Sequence, residues 1–247
     1  MTRGFSTVLK TEWTLFRREP VGLSWGAAIP IVALIAVGLL PGTGQAISYY
    51  HGQSVLQHYL PIIVLVSLAM LGLNALPPVL AGYRERGVLR RLAVTPMAPS
   101  RLLTAVGLIH AGVAIGTTIV LLVAARVGFG VALPSRFGLW LLAFLLTGAT
   151  VLALGTLVSA LSPSAKVANG VGGAMFFPLM FLAGLWTPVD SFAPVFRHIS
   201  QLSPLGASAR MLSAAGQGYF GGWMAALALL GYAVLLPVLA VRFFRWE

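Results

Sequence analysis

Between Val21 and Tyr83 the chain contains no Asp, Glu, Lys or Arg. One membrane span needs about 20 apolar residues, so this run is long enough for two. Pro41-Gly42-Thr43-Gly44 and the polar stretch through His58 divide it. The pattern predicts span 1 over 22–40 and span 2 over 59–82. Asn74 and the pair Pro77-Pro78 lie inside span 2, so a kink is expected near its second end. A buried kink is tolerated where neighbouring helices satisfy the freed carbonyls.

The remainder follows the same economy of charge. Only 9% of the 247 residues are charged and the mean hydropathy is +0.93, whereas soluble domains carry about 25% charged residues. Further apolar runs predict spans 3 to 6 over 102–125, 137–161, 167–185 and 222–241. Arg126 and Arg136 bracket a short turn after span 3, and Ser162 to Lys166 form a tight turn after span 4. The semi-polar segment 186–221 predicts two short helices, one opening near Asp190 or Ser191 and one at Ser203-Pro204. Trp186 suits an interfacial aromatic, and the basic, aromatic tail from Arg242 to Glu247 suits an anchor.

Residues 1–20 read as an interfacial segment. From Phe5 to Arg18, Phe5, Val8, Leu9, Trp13, Leu15 and Phe16 share one helical face, and Arg3, Lys10, Arg17 and Arg18 share the other. Such a helix lies at the headgroup boundary. Glu12 falls within the apolar arc, where it either snorkels to water, pairs with a nearby Arg or meets a partner protein.

The loop 83–101 holds the densest charge: Arg84, Arg86, Arg90, Arg91 and Arg101, with Glu85 the one acid. Basic loops resist translocation, so this one is expected in the cytoplasm. Of the 16 Lys and Arg residues, only Arg126, Arg136, Arg197 and Arg210 fall in loops assigned to the outside. The balance predicts six spans with both termini cytoplasmic. Within the loop, Val88, Leu89 and Leu92 recur at helical spacing, so Glu85 to Ala93 reads as a short amphipathic helix ended by Pro96 and Pro99.

Several chemistries are excluded or disfavoured. There is no cysteine, hence no disulfide or thiolate ligand. Lys10 and Lys166 follow Leu9 and Ala165 where a phosphate-binding loop requires glycine, so ATP cannot bind through that motif. The net charge of +11 is spread over span ends and not gathered on one face, which argues against nucleic acid. All five acids (Glu12, Glu19, Glu85, Asp190 and Glu247) lie at flanks or in loops. A proton relay would therefore rest on His110 in span 3, for which a hydrogen bond to a neighbouring helix is the plainer role. Gly112 and Gly116 in the same span have the spacing of a close helix contact.

Three stretches together resemble one family. They are Glu85-Arg-Gly-Val-Leu-Arg-Arg-Leu-Ala-Val-Thr-Pro-Met97, Phe181-Leu-Ala-Gly-Leu-Trp-Thr-Pro188, and Ile199-Ser-Gln-Leu-Ser-Pro-Leu-Gly206 followed by Arg210. In this order, with an amphipathic start and six spans, they resemble the membrane subunits of ABC type-2 exporters, which include bacterial drug and antibiotic exporters. Ala183 stands where that family often has serine. The resemblance covers nearly the whole chain, 1–247, as a single transmembrane domain.

The resemblance implies an all-α membrane protein of a bacterial inner membrane, with a cytoplasmic coupling helix between spans 2 and 3 and short outer helices between spans 5 and 6. It implies a second permease subunit, identical or homologous, and separate ATPase subunits that carry the ATP and magnesium; this chain would hold no cofactor. It implies that the N-terminal helix, with Glu12, and the segment holding Glu85, Arg86, Leu89, Arg90, Arg91 and Leu92 contact the ATPase. The expected cargo is hydrophobic or amphipathic and enters between subunits at spans 2 and 5. Asn74, Met175, Phe176, Phe177, Met180 and Phe181 are the candidate lining residues, since Met and aromatic side chains suit promiscuous apolar recognition. Rival readings are an exporter of lipid-linked or polysaccharide cargo, a proton-coupled carrier, and a membrane-embedded enzyme. The last is disfavoured by the lack of clustered nucleophiles, bases or metal ligands.

Overall fold

A computed structural model describes residues 2–18, 24–50, 52–88, 91 and 99–243. Leu89, Arg90, Leu92, the start of span 1 and most of the tail after Arg242 lie outside the described residues. Among those described, the fold is helical and holds no strand beyond an isolated Ala46–Ser54 bridge.

Helix α1 is Thr2–Arg18. A π-helical turn, Ser24–Ala28, leads into α2, Ile29–Leu39. Helix α3, Val55–Glu85, has 31 residues and α4 is Pro99–Phe129. Then come α5, Phe137–Leu161, and α6, Ala165–Leu182. The short helices α7, Pro194–Leu202, and α8, Pro204–Gly216, precede α9, Trp223–Phe243. Five of these, α3, α4, α5, α6 and α9, are long and apolar enough to cross a membrane. The remaining expected span, span 1, corresponds to α2, whose apolar run of Gly26–Leu39 is shorter. At ~1.5 Å per residue it falls short of a hydrocarbon core of ~30 Å.

Helix α3 is the most enclosed span, while α6 and α9 turn most of their surface outward. Leu65, Leu71 and Leu73 of α3 are fully buried. It packs against α2, α4, α5, α6 and α8. Helix α5 is the second hub, packed along α9 and α8; Thr150 of α5 donates its hydroxyl to the Leu229 carbonyl of α9 at 3.3 Å.

Where the kink in span 2 was expected, the helix changes type. The chain passes from α-helix to a π-helical segment, Met70–Ala75, and resumes as α-helix with Pro77 in its first turn. A proline there loses no hydrogen bond, because the widened turn ahead of it already releases the ladder. The backbone of that segment is approached closely from two sides. A Cβ on Gly155 of α5 would collide with the Gly72 carbonyl oxygen, and one on Gly172 of α6 with the Leu73 carbonyl oxygen. Only glycine permits both approaches. By contrast, a Cβ on Gly112 or Gly116 of α4 would meet nothing within 4 Å among the described residues, so the close contact expected of them is not made there.

The ends of the elements refine the sequence boundaries. Helix α3 overruns the expected span at both ends, and Glu85 closes it instead of opening a separate helix. Gly87 at φ +66° follows, a conformation that disfavours any side chain. The Arg91 N–H donates to the Gly87 carbonyl at 3.1 Å. Helix α7 opens at Pro194, after a 3-10 turn at Val189–Ser191, a few residues later than expected. Ser203 caps α8 as expected, accepting the Gly206 N–H at 3.1 Å.

Candidate functional site

Two regions at opposite ends of the bundle gather polar side chains. The first lies where α3 ends. Helix α1 packs against α4, with Phe16 buried and Trp13 and Leu15 exposed, so only part of its apolar face is left for lipid. Glu12 is also buried, and the Tyr83 hydroxyl donates to its Oε2 at 2.6 Å. The carboxylate that broke the amphipathic pattern thus points into its own bundle. Phe16 meets His110 edge to face, with ring centroids 5.3 Å apart. His110 does not bond a neighbouring helix. Its Nδ1 lies 2.8 Å from the Val106 carbonyl, which can only accept, so Nδ1 carries the proton. Among the described residues, the buried Nε2 has no hydrogen-bond partner.

The next two residues of α3 grip the turn between α5 and α6. Arg84 donates through Nη1 to the Ala160 carbonyl at 3.1 Å and through Nη2 to the Ser162 carbonyl. Glu85 Oε2 accepts the Ala165 N–H at 2.9 Å. A cation thus meets the carbonyl end of α5 and an anion meets the amide end of α6, each matched to the partial charge of a helix terminus. Arg86 donates from Nε to the Gly82 carbonyl at 3.1 Å and lies over the Tyr83 ring, 5.5 Å from its centroid. Val88 packs on a small apolar cluster of Leu76, Leu80, Leu102 and Val106. Arg91 is exposed.

The proposed lining residues do not form one surface. Phe176 and Met180 are buried core residues. Met175 and Asn74 are half-buried, and Asn74 Nδ2 lies 3.7 Å from Met70 Sδ. Phe177 and Phe181 are exposed on α6. Phe177 stacks on Trp186 at 6.1 Å and Phe181 on Phe192 at 5.0 Å, making an outward aromatic strip.

The second polar region escapes the sequence reading altogether. At the opposite end, a cavity of about 430 Å³ opens between the start of α3, the α4–α5 turn and the segment around α7 and α8. Gln53, Gln57, Gln201, Arg197 and Arg210 contribute to its wall. The wall is tied together across segments. Tyr49 and Ser191 hydroxyls lie 2.9 Å apart, the Ser200 hydroxyl donates to the Leu182 carbonyl at 2.6 Å, and Arg210 Nε donates to the Gly221 carbonyl at 2.7 Å. The polar run before span 2 and the semi-polar segment 186–221 were the available signals. Nothing in linear order showed that they meet.

Apolar helices of membrane-crossing length around a glycine-packed core define a multi-pass membrane protein. Among the described residues no group of His, Asp or Glu has the form of a metal site. Residues 3–215 match the model of the ABC-2 type transporter family, and the chain belongs to that family. It is the membrane component of such a transporter and not an ATPase. No curated protein matches the chain.

Proposed function

We propose that this chain is the permease subunit of an ATP-driven exporter in a bacterial cell membrane. Two copies, or this chain and a close homologue, form a pathway for a hydrophobic or amphipathic, drug-like cargo. The whole chain acts as one transmembrane domain of six spans, α2 with its flanking residues supplying the first. Both termini and the 83–101 loop face the cytoplasm, and α7 and α8 face outward. Separate ATPase subunits hold ATP and magnesium and press on α1 and on the loop. Arg90 and Arg91 pair with carboxylates of the motor, and Leu89 and Leu92 fill a groove on it.

The observation that carries this reading is the triplet Tyr83-Arg84-Glu85. Three consecutive residues bond α1, the end of α5 and the start of α6. A push on the loop is therefore delivered to several spans at once and not dissipated in one flexible link. The exposed aromatic strip of Phe177 and Phe181 suits contact with apolar cargo or with the second subunit, while Phe176 and Met180 support it from behind. Reconstitution with the ATPase subunits tests the reading. Arg90→Ala/Arg91→Ala should abolish cargo-stimulated ATP hydrolysis while leaving membrane insertion intact. Unchanged stimulation would remove the loop from the coupling path.

A further inference from the structure

Helix α1 meets the bundle over a small cavity of about 20 Å³ that lies between α1, α3 and α4. Among the described residues, Glu12 of α1, Tyr83 of α3 and His110 of α4 supply the polar side chains of its wall, and the remainder is aliphatic or aromatic. His110 is 1% exposed. Its Nδ1–H is spent on the Val106 carbonyl, so Nε2 presents a lone pair and no proton. Among the described residues that lone pair has no donor. A buried polar atom left in this state forfeits the hydrogen bond that solvent gave it in the unfolded chain.

The other two polar groups are acceptors as well. The Tyr83 hydroxyl gives its proton to Glu12 Oε2 at 2.6 Å, so toward the cavity its oxygen can only accept. A carboxylate accepts roughly four hydrogen bonds, which leaves room at Glu12 for a donor beside Tyr83. A buried carboxylate also needs several donors to offset its lost hydration. A space bounded by acceptors takes a donor of two protons and excludes an anion or a carbonyl group. Mg²⁺ or Ca²⁺ would need about six oxygen ligands, more than this wall offers. An ammonium ion would turn its remaining protons toward apolar side chains. Size makes the same choice, since one water needs about 10–15 Å³ of such space. The cavity admits one and nothing larger.

We propose that a single structural water binds in this cavity, donating one proton to His110 Nε2 and the other to the Glu12 carboxylate. The Tyr83–Glu12 bond is thereby carried on to α4, and α1, α3 and α4 share one hydrogen-bonded chain. His110 is a positioning residue. It holds the carboxylate of α1 through the water while the Phe16 ring of α1 packs edge to face on the same imidazole. The water also gives the buried acid a share of the hydration that an apolar face denies it.

The test is solid-state NMR of the full-length chain in proteoliposomes, labelled with ¹⁵N-histidine and ¹³C-glutamate, with magnetisation transferred from water protons. The chain has four histidines, and the His110 and Glu12 signals are assigned by their loss in His110→Gln and Glu12→Gln. The expected result is an unprotonated Nε2 at His110 that gains signal from water, as does the Glu12 carboxyl carbon. His110→Phe keeps the ring and its contact with Phe16 but removes the acceptor, so water transfer to Glu12 should fall to the level of a dry core carbon. His110→Gln, whose amide oxygen reaches the place of Nε2, should restore most of it. An unprotonated Nε2 that receives nothing from water means a dry cavity and overturns the proposal. A protonated Nε2 overturns it in favour of a direct charge pair with Glu12. Equal transfer to Glu12 in His110→Phe and the wild type also overturns it, since the carboxylate would then take its water from elsewhere. Should His110→Phe not fold, the wild-type spectrum decides by the first two of these outcomes. No nucleotide or motor is present, so the result bears on the site whatever the chain transports.

Discussion

The Tyr83 hydroxyl donates to Glu12 across 2.6 Å, joining the last turn of α3 to a carboxylate buried on α1. A charged acceptor makes this a strong hydrogen bond. It explains why an acid interrupts the apolar face of an amphipathic helix. The carboxylate positions α1 against the bundle, so α1 and the loop end of α3 move as one piece. Tyr83→Phe should lower stability by about 1.5–3 kcal/mol and release α1, read as a lower unfolding temperature and faster proteolysis near Arg17 and Arg18. An α1 as protected as before would mean that packing of Phe16 suffices.

The Glu85 carboxylate holds the first turn of α6 through the Ala165 N–H. Glu85→Ala removes both the acceptor and a charge matched to the helix terminus, at a cost of about 1 kcal/mol. In the assembled transporter the expected effect is larger on coupling than on stability: ATP hydrolysis no longer responds to cargo, while the unfolding temperature shifts only slightly. Glu85→Gln keeps an acceptor oxygen and should retain part of the response. Equal loss in both variants would point to a charge contact with the motor and not to the cap.

Gly155 and Gly172 admit the backbone of the π segment of α3. Either Gly→Ala change pushes a methyl group against a carbonyl oxygen that cannot rotate away. The expected cost is about 1–3 kcal/mol, seen as reduced folded yield and a lower unfolding temperature. Gly112→Ala, where a Cβ meets nothing within 4 Å among the described residues, serves as the control.

Sidedness can be measured directly, since the chain contains no cysteine. Thr95→Cys should react with membrane-impermeant thiol reagents only from the cytoplasm, and Val195→Cys, at an exposed position on α7, only from outside. Labelling of both from one side would overturn the six-span topology.

The membrane class, the helical fold and the approximate place of each long helix were legible in linear order. Burial in lipid demands long runs without charge, and a helix must satisfy its own backbone within the run. The limits of α5 are read to the residue because Arg136 and Ser162-Pro163 bracket it. The family was legible too, in three short stretches whose order matters more than any one of them. Span 1 was less so. Charge-free sequence around Pro41 and Gly42 does not say how much of it is helix, and α2 proves short.

What the tertiary structure alone decided are the contacts made between elements far apart in sequence. Helical periodicity places Glu12 on an apolar face, but it cannot say that Tyr83 waits there. It marks the Met and Phe residues of α6 as one class, yet Phe176 and Met180 face the core and Phe177 and Phe181 face outward, because rotation of a helix is set by its neighbours. It reports Gln57, Gln201 and Arg210 as scattered polar residues; only the folding of α3, α7 and α8 onto one another encloses them around a common space. Hydrophobicity is a local property of a chain, whereas a hydrogen-bonded cluster or a cavity is a relation among distant segments, and it comes into being only when they pack.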